Sequence, residues 1–148
     1  VELSLKSEYA ILALVELATH FELDQPLQIR QIASQQNIPD RYLEQLLATL
    51  RRHGLVKSQR GSKGGYILAR EPWRINILEI IQCMEGKDPM SSDDRHRGDS
   101  TQTTTTSVVH NVWKLAQSSA ANVLRSCTLK DLCEQEKQYK LATAMYYI

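Results

Sequence analysis

Apolar residues recur at spacings of three and four through the first twenty positions, where Tyr9, Leu12, Ala13 and Leu17 share a face with Glu16 beside them. That period predicts a helix from residue 5 to about 21, with Ser4 or Ser7 available as its cap. Asp24 and Pro26 end it. In QIRQIASQQN (28–37), Ile29, Ile32 and Ala33 fall on one side of a short second helix, and Pro39 lies near the start of a third. That third helix, RYLEQLLATLRRHG, presents Leu43, Leu46, Leu47 and Leu50 to a core and stops at Gly54, a residue suited to a left-handed terminus. Two helices joined by a tight turn make a helix-turn-helix candidate.

After Gly54 the period shortens. LVKSQ and YILAR read as strands, and RGSKGG between them as a turn, so a hairpin follows the helix pair. INILEIIQCMEG is an amphipathic fourth helix ending at Gly86. Residues 87–107 carry almost no apolar side chain and a run of four threonines, too little burial to offset the entropy of ordering, and a mobile loop is expected there. From residue 108 a stripe of Val109, Val112, Trp113, Ala116, Ala120, Val123 and Leu124 describes a helix to residue 126. A stripe this long needs cover, either from its own domain or, more simply, from a second copy of the chain. Thr128 with Asp131 marks one more helix start, after which Leu129 and Leu132 can dock back. The order describes a mainly α chain with a small β-hairpin. Its parts are a winged helix-turn-helix domain (1–86), a flexible loop (87–107), a dimerisation helix (108–126) and a C-terminal helix docking on the domain (127–148).

Composition adds two constraints. The 148 residues are 42% hydrophobic, enough for one ordinary core, and no apolar run approaches the roughly 20 residues that span a bilayer. Neither a signal peptide nor a membrane anchor is expected, and three scattered cysteines, Cys83, Cys127 and Cys133, fit a reducing cytoplasm better than a disulfide scaffold. The net charge of +1 conceals an asymmetry. Residues 41–70 hold seven cations against the single anion Glu44, a local charge of +6 that leaves −5 for the other 118 residues. Such a patch suits a polyanionic partner, although it also suits a merely solvated face.

The glycine-rich SQRGSKGGYIL (58–68) carries the functional question. A phosphate-binding loop needs Gly-Lys followed by a hydroxyl and a helix; here Lys63 precedes Gly64 and Gly65, and a strand follows. A plain hairpin leaves Arg60 and Lys63 without a task, whereas with Arg51 and Arg52 they make one cationic surface. No Ser/His/Asp or Cys/His arrangement and no carboxylate pair points to an enzyme.

RYLEQLLATLRRHGLVKSQRGSKGGYILAR resembles the signature of the IscR/NsrR/CymR group of bacterial winged-helix transcription regulators. LSLKSEYAILALVELA resembles their first helix, and INILEIIQCMEG, HNVWKL and TLKDL follow in matching order, so the resemblance covers most of residues 3–133. It implies a homodimer that binds double-stranded operator DNA as repressor or activator, often in response to iron-sulfur status, nitric oxide, redox state or a partner enzyme. The third helix would enter the major groove and the wing the adjacent minor groove. Carried over by position, the reading residues are Pro39, Arg41, Tyr42, Glu44 and Gln45, with Arg60 at the wing tip. Arg51, Arg52 and Lys63 extend the cationic surface. Arg suits a narrow minor groove, Gln and Glu meet base edges, and Tyr reaches phosphate, while Glu44 also fits a solvated helix charge. Arg41 replaces a small polar residue common in the group, which implies a different preferred sequence. The alternative is a winged-helix protein-interaction module.

Members that bind a cluster carry three cysteines in the loop after the fourth helix, and this loop has none; Ser107 stands where one would be. No cofactor is therefore expected. The remaining route to an iron-sulfur cluster or metal is a site shared between subunits, built from Glu8, Cys83 and His110. Cys127 and Cys133 read as small packed hydrophobes.

Overall fold

A computed structural model of the chain describes residues 2–86 and 103–147. Helix α1 (Leu5–Thr19) begins where the Ser4 hydroxyl accepts the Ser7 N–H, which resolves the choice of cap. Its buried side, Ala10, Ala13, Leu14 and Leu17, runs through the centre of the molecule and meets the other helices of the domain. Helix α2 (Ile29–Gln36) ends at Asn37 in the left-handed conformation, and α3 (Asp40–Arg52) follows after two residues. Leu43, Leu46, Leu47 and Leu50 are buried in one cluster with Ile32, Ala33 and the α1 residues, which sets the helix pair in its turn geometry. Gly54 terminates the segment at φ +77°, a conformation that costs glycine little.

Strands β1 (Val56–Gln59) and β2 (Gly65–Leu68) pair antiparallel, Val56 opposite Leu68 and Gln59 opposite Gly65. A third edge joins them. Leu27 and Tyr66 exchange both backbone hydrogen bonds, at 3.0 and 2.8 Å, so the entry to α2 closes one side of the wing. Glycine is needed at this approach, because a β-carbon on Gly65 would stand 2.4 Å from the Leu27 carbonyl oxygen.

Helix α4 (Ile77–Glu85), capped by Asn76, packs on α1 and α3 and closes at Gly86 with φ +72°. Helix α5 (Thr104–Ser126) starts four residues earlier than its apolar stripe suggests: Thr103 caps it by accepting the Thr106 N–H, and the threonine run forms its first turn rather than a loop. The rest of the expected mobile segment, 87–102, lies outside the described residues. Helix α6 (Leu129–Tyr146) opens on the expected Thr128–Asp131 capping box and returns to α1, with Leu129 fully buried and Leu132 packed against the core. A short backbone bridge anchors this return, Ile77 N–H to Cys127 C=O and Leu129 N–H to Ile75 C=O. Beyond Lys137 the helix is exposed, Tyr139, Tyr146 and Tyr147 included. Among the described residues no helix is long and apolar enough to cross a membrane.

Candidate nucleic-acid interface

The leucine face of α3 decides what its other face can do. With four leucines turned inward, Arg41, Glu44, Gln45, Arg51 and Arg52 are necessarily exposed along the opposite side. Pro39 occupies the N-cap position, exposed, and supplies no side-chain cap. Tyr42 is different. It is half-buried, its ring edge-on to Tyr9 of α1 with centroids 5.7 Å apart.

Arg60 and Lys63 stand exposed in the loop between β1 and β2. The loop is shaped by Gly64, where a β-carbon would lie 2.2 Å from the Gln59 carbonyl oxygen. Arg51 donates to the Ser58 hydroxyl on β1 at 3.3 Å, joining the end of α3 to the base of the wing. Arg52 donates to Thr49 at 3.1 Å. Among the described residues the ion pairs are Arg70–Glu79, Arg74–Glu71, Lys130–Glu134 and Lys140–Glu136, and none of them includes Arg41, Arg51, Arg52, Arg60 or Lys63. An exposed helix face and a cationic loop on one domain can place donors against phosphates and side chains against base edges.

Within one chain the metal candidates lie on three different helices. Glu8 is exposed on the first turn of α1, Cys83 is buried in α4, and His110 lies on the second turn of α5 with Nε2 buried and without a hydrogen-bond partner among the described residues. No group of three or more His, Cys, Asp or Glu side chains among the described residues could hold a metal ion. Burial, with Glu79 adding to it, pushes the Cys83 thiol above its ordinary range. Burial does the same to Cys127 and Cys133, the latter directed at the Val15 carbonyl of α1.

Sequence reasoning missed Tyr9 and Ser58 as parts of this surface. Tyr9 carried a signal only as a core-face aromatic, and Ser58 carried none.

Comparison with known proteins adds a family. The model of the Rrf2 family, described as an iron-dependent transcriptional regulator, matches residues 3–135. The CymR transcriptional regulator of Bacillus subtilis is 34% identical over 131 residues, 88% of each chain. IscR of Xenorhabdus nematophila is 31% identical over 149 residues, 95% of this chain and 84% of that one. The structure of CymR, the global cysteine regulator of B. subtilis, superposes with a TM-score of 0.78 at 33% identity, covering 91% of this chain and 98% of that one. T. potens IscR superposes at 0.75 with 36% identity over 94% and 90%. These are regulators rather than enzymes, as the residue pattern led one to expect. With the family match running over residues 3–135 and the fold superposing on both of these solved structures, the chain belongs to the Rrf2 family of winged-helix transcriptional regulators.

Proposed function

We propose that the chain acts as a homodimer that reads a specific operator in double-stranded DNA, α3 entering the major groove and the Arg60 loop the neighbouring minor groove. The observation that carries this reading is the exposed cationic surface from Arg41 through Arg51 and Arg52 to Arg60 and Lys63, none of them ion-paired among the described residues, set beside the base-reading types Glu44 and Gln45. The dimer rests on α5, where Val109, Val112, Trp113 and Val123 are each more than half exposed while Ala121 faces the domain. An apolar stripe of that extent costs free energy in water unless a second copy covers it.

An iron-sulfur cluster does not fit the donors. The chain holds three cysteines, none of them in 87–107, and among the described residues no group of three or more His, Cys, Asp or Glu side chains could hold a metal ion, whereas clusters are held by several thiolates. The regulator is read as cluster-free, with its signal supplied by another chemistry.

The test is fluorescence anisotropy on a duplex that the wild-type chain enriches from a randomised library, across a salt series. Operator binding predicts a steep fall of affinity with salt and its weakening by Arg60→Ala. Absence of any enriched sequence would favour the protein-interaction reading of the same fold.

A further inference from the structure

The reading helix α3 begins without a cap of its own, since Pro39 makes no side-chain hydrogen bond to the first turn. Its first turn is held from outside. Tyr42, the third residue of the helix, lies between Arg41 and the Glu44–Gln45 pair, and its ring meets Tyr9 at an interplanar angle of 74°. Edge-to-face contact of this kind is directional, so the Tyr9 ring restricts where Tyr42 and the turn that carries it can sit.

Tyr9 is itself fixed two residues from a clasp. The Ser4 and Ser7 hydroxyls both donate to Oε1 of Glu85, the last residue of α4, Ser7 at 2.8 Å, while Ser4 also accepts the Ser7 N–H at 3.1 Å. Ser7 is fully buried, which shields its hydroxyl from water, while the Glu85 carboxylate that it meets is exposed. The first turn of α1 is thereby pinned to the end of α4, and the ring that follows it is pinned against α3.

We propose that Tyr9 is a positioning residue for operator reading: seated by the Ser7–Glu85 bond, it orients the first turn of α3 through Tyr42 and makes no DNA contact itself. This rests on the DNA-reading function proposed above and deepens it.

The experiment compares affinities for the enriched duplex and for a scrambled duplex of equal length, by anisotropy, with thermal unfolding recorded for each variant. Tyr9→Ala is expected to weaken the enriched duplex about five- to tenfold and the scrambled one less than about twofold, because phosphate contacts tolerate a shifted turn and base contacts do not. Tyr9→Phe keeps the ring and should restore wild-type discrimination. In a Tyr42→Ala background, Tyr9→Ala should add nothing further. If Tyr9→Ala fails to fold, Tyr9→Leu, which preserves apolar bulk but not the ring edge, makes the same comparison. Equal losses on both duplexes, or losses that simply add, would overturn the positioning role while leaving DNA reading intact. A wild-type chain that enriches no sequence would overturn the DNA-reading function and this inference with it.

Discussion

A β-carbon at Gly64 or Gly65 would press into a backbone carbonyl, of Gln59 in one case and Leu27 in the other, so the adjacent glycines of the wing serve close approach as well as turning. The glycines were readable in the chain as a turn; the reason for two of them was not, because Leu27 lies 38 positions before Gly65. Gly65→Ala is expected to cost about 1–3 kcal/mol of folding stability, measured by urea titration, through loss of the Leu27–Tyr66 edge. Arg60, exposed at the tip, presents the opposite case: its loss leaves folding untouched. Arg60→Ala should lower affinity for scrambled and enriched DNA and reduce the slope of log K against log salt by about 1 if its contact is to phosphate. Leu47, fully buried in α3, should cost about 2–5 kcal/mol on truncation to Ala, as a cavity between α1 and α3 would.

Helices α2 and α3 followed their apolar periods closely, whereas α1 ends at Thr19 and buries Ala10, Leu14 and Val15 beside Ala13 and Leu17, leaving Tyr9 and Leu12 of its expected face only partly buried because neighbours cover it from several sides. Helix α5 did not begin where its stripe begins. Its first turn is polar, TTTS, and exists because Thr103 satisfies an orphan N–H, an effect that a burial argument overlooks. Its exposed stripe leads to a measurable outcome. On the proposed dimer through α5, Trp113→Glu should halve the mass found by light scattering, leave the helical circular dichroism intact, and weaken the proposed operator binding. The clasp between α1 and α4 has its own signature. The serine hydroxyls hold the Glu85 carboxyl below its ordinary 4.5. A depressed value means the folded state favours the ionised form, so the clasp contributes fully above pH 4.5 and its contribution fades as pH falls through the lowered value. The stability difference between wild type and Glu85→Gln should therefore shrink on acidification below pH 4.5, as followed by denaturant titration.

At the scale of the whole molecule, charge and thiols behave oppositely: the cations are gathered outward on α3 and the wing, and the cysteines are packed against the core. With burial raising their values, Cys83 and Cys133 stay protonated at neutral pH, and iodoacetamide should alkylate them far more slowly in the folded chain than in urea. Rapid reaction of Cys83 would contradict its burial in α4. The order of helices and hairpin, the stops at Gly54 and Gly86, the Thr128–Asp131 start and the cationic segment 41–70 all follow from neighbours within a few residues, where period, capping and charge act locally. The third edge of the wing, the Ile75–Ile77 bridge to Cys127–Leu129, the Tyr9–Tyr42 contact and the Ser7–Glu85 bond do not. Each joins positions dozens of residues apart, 78 for Ser7 and Glu85, and no local propensity selects such a partner. Only the packing of α1 between α3 and α4 brings those groups together, because burial of its apolar side fixes which polar groups at its ends come within hydrogen-bonding reach.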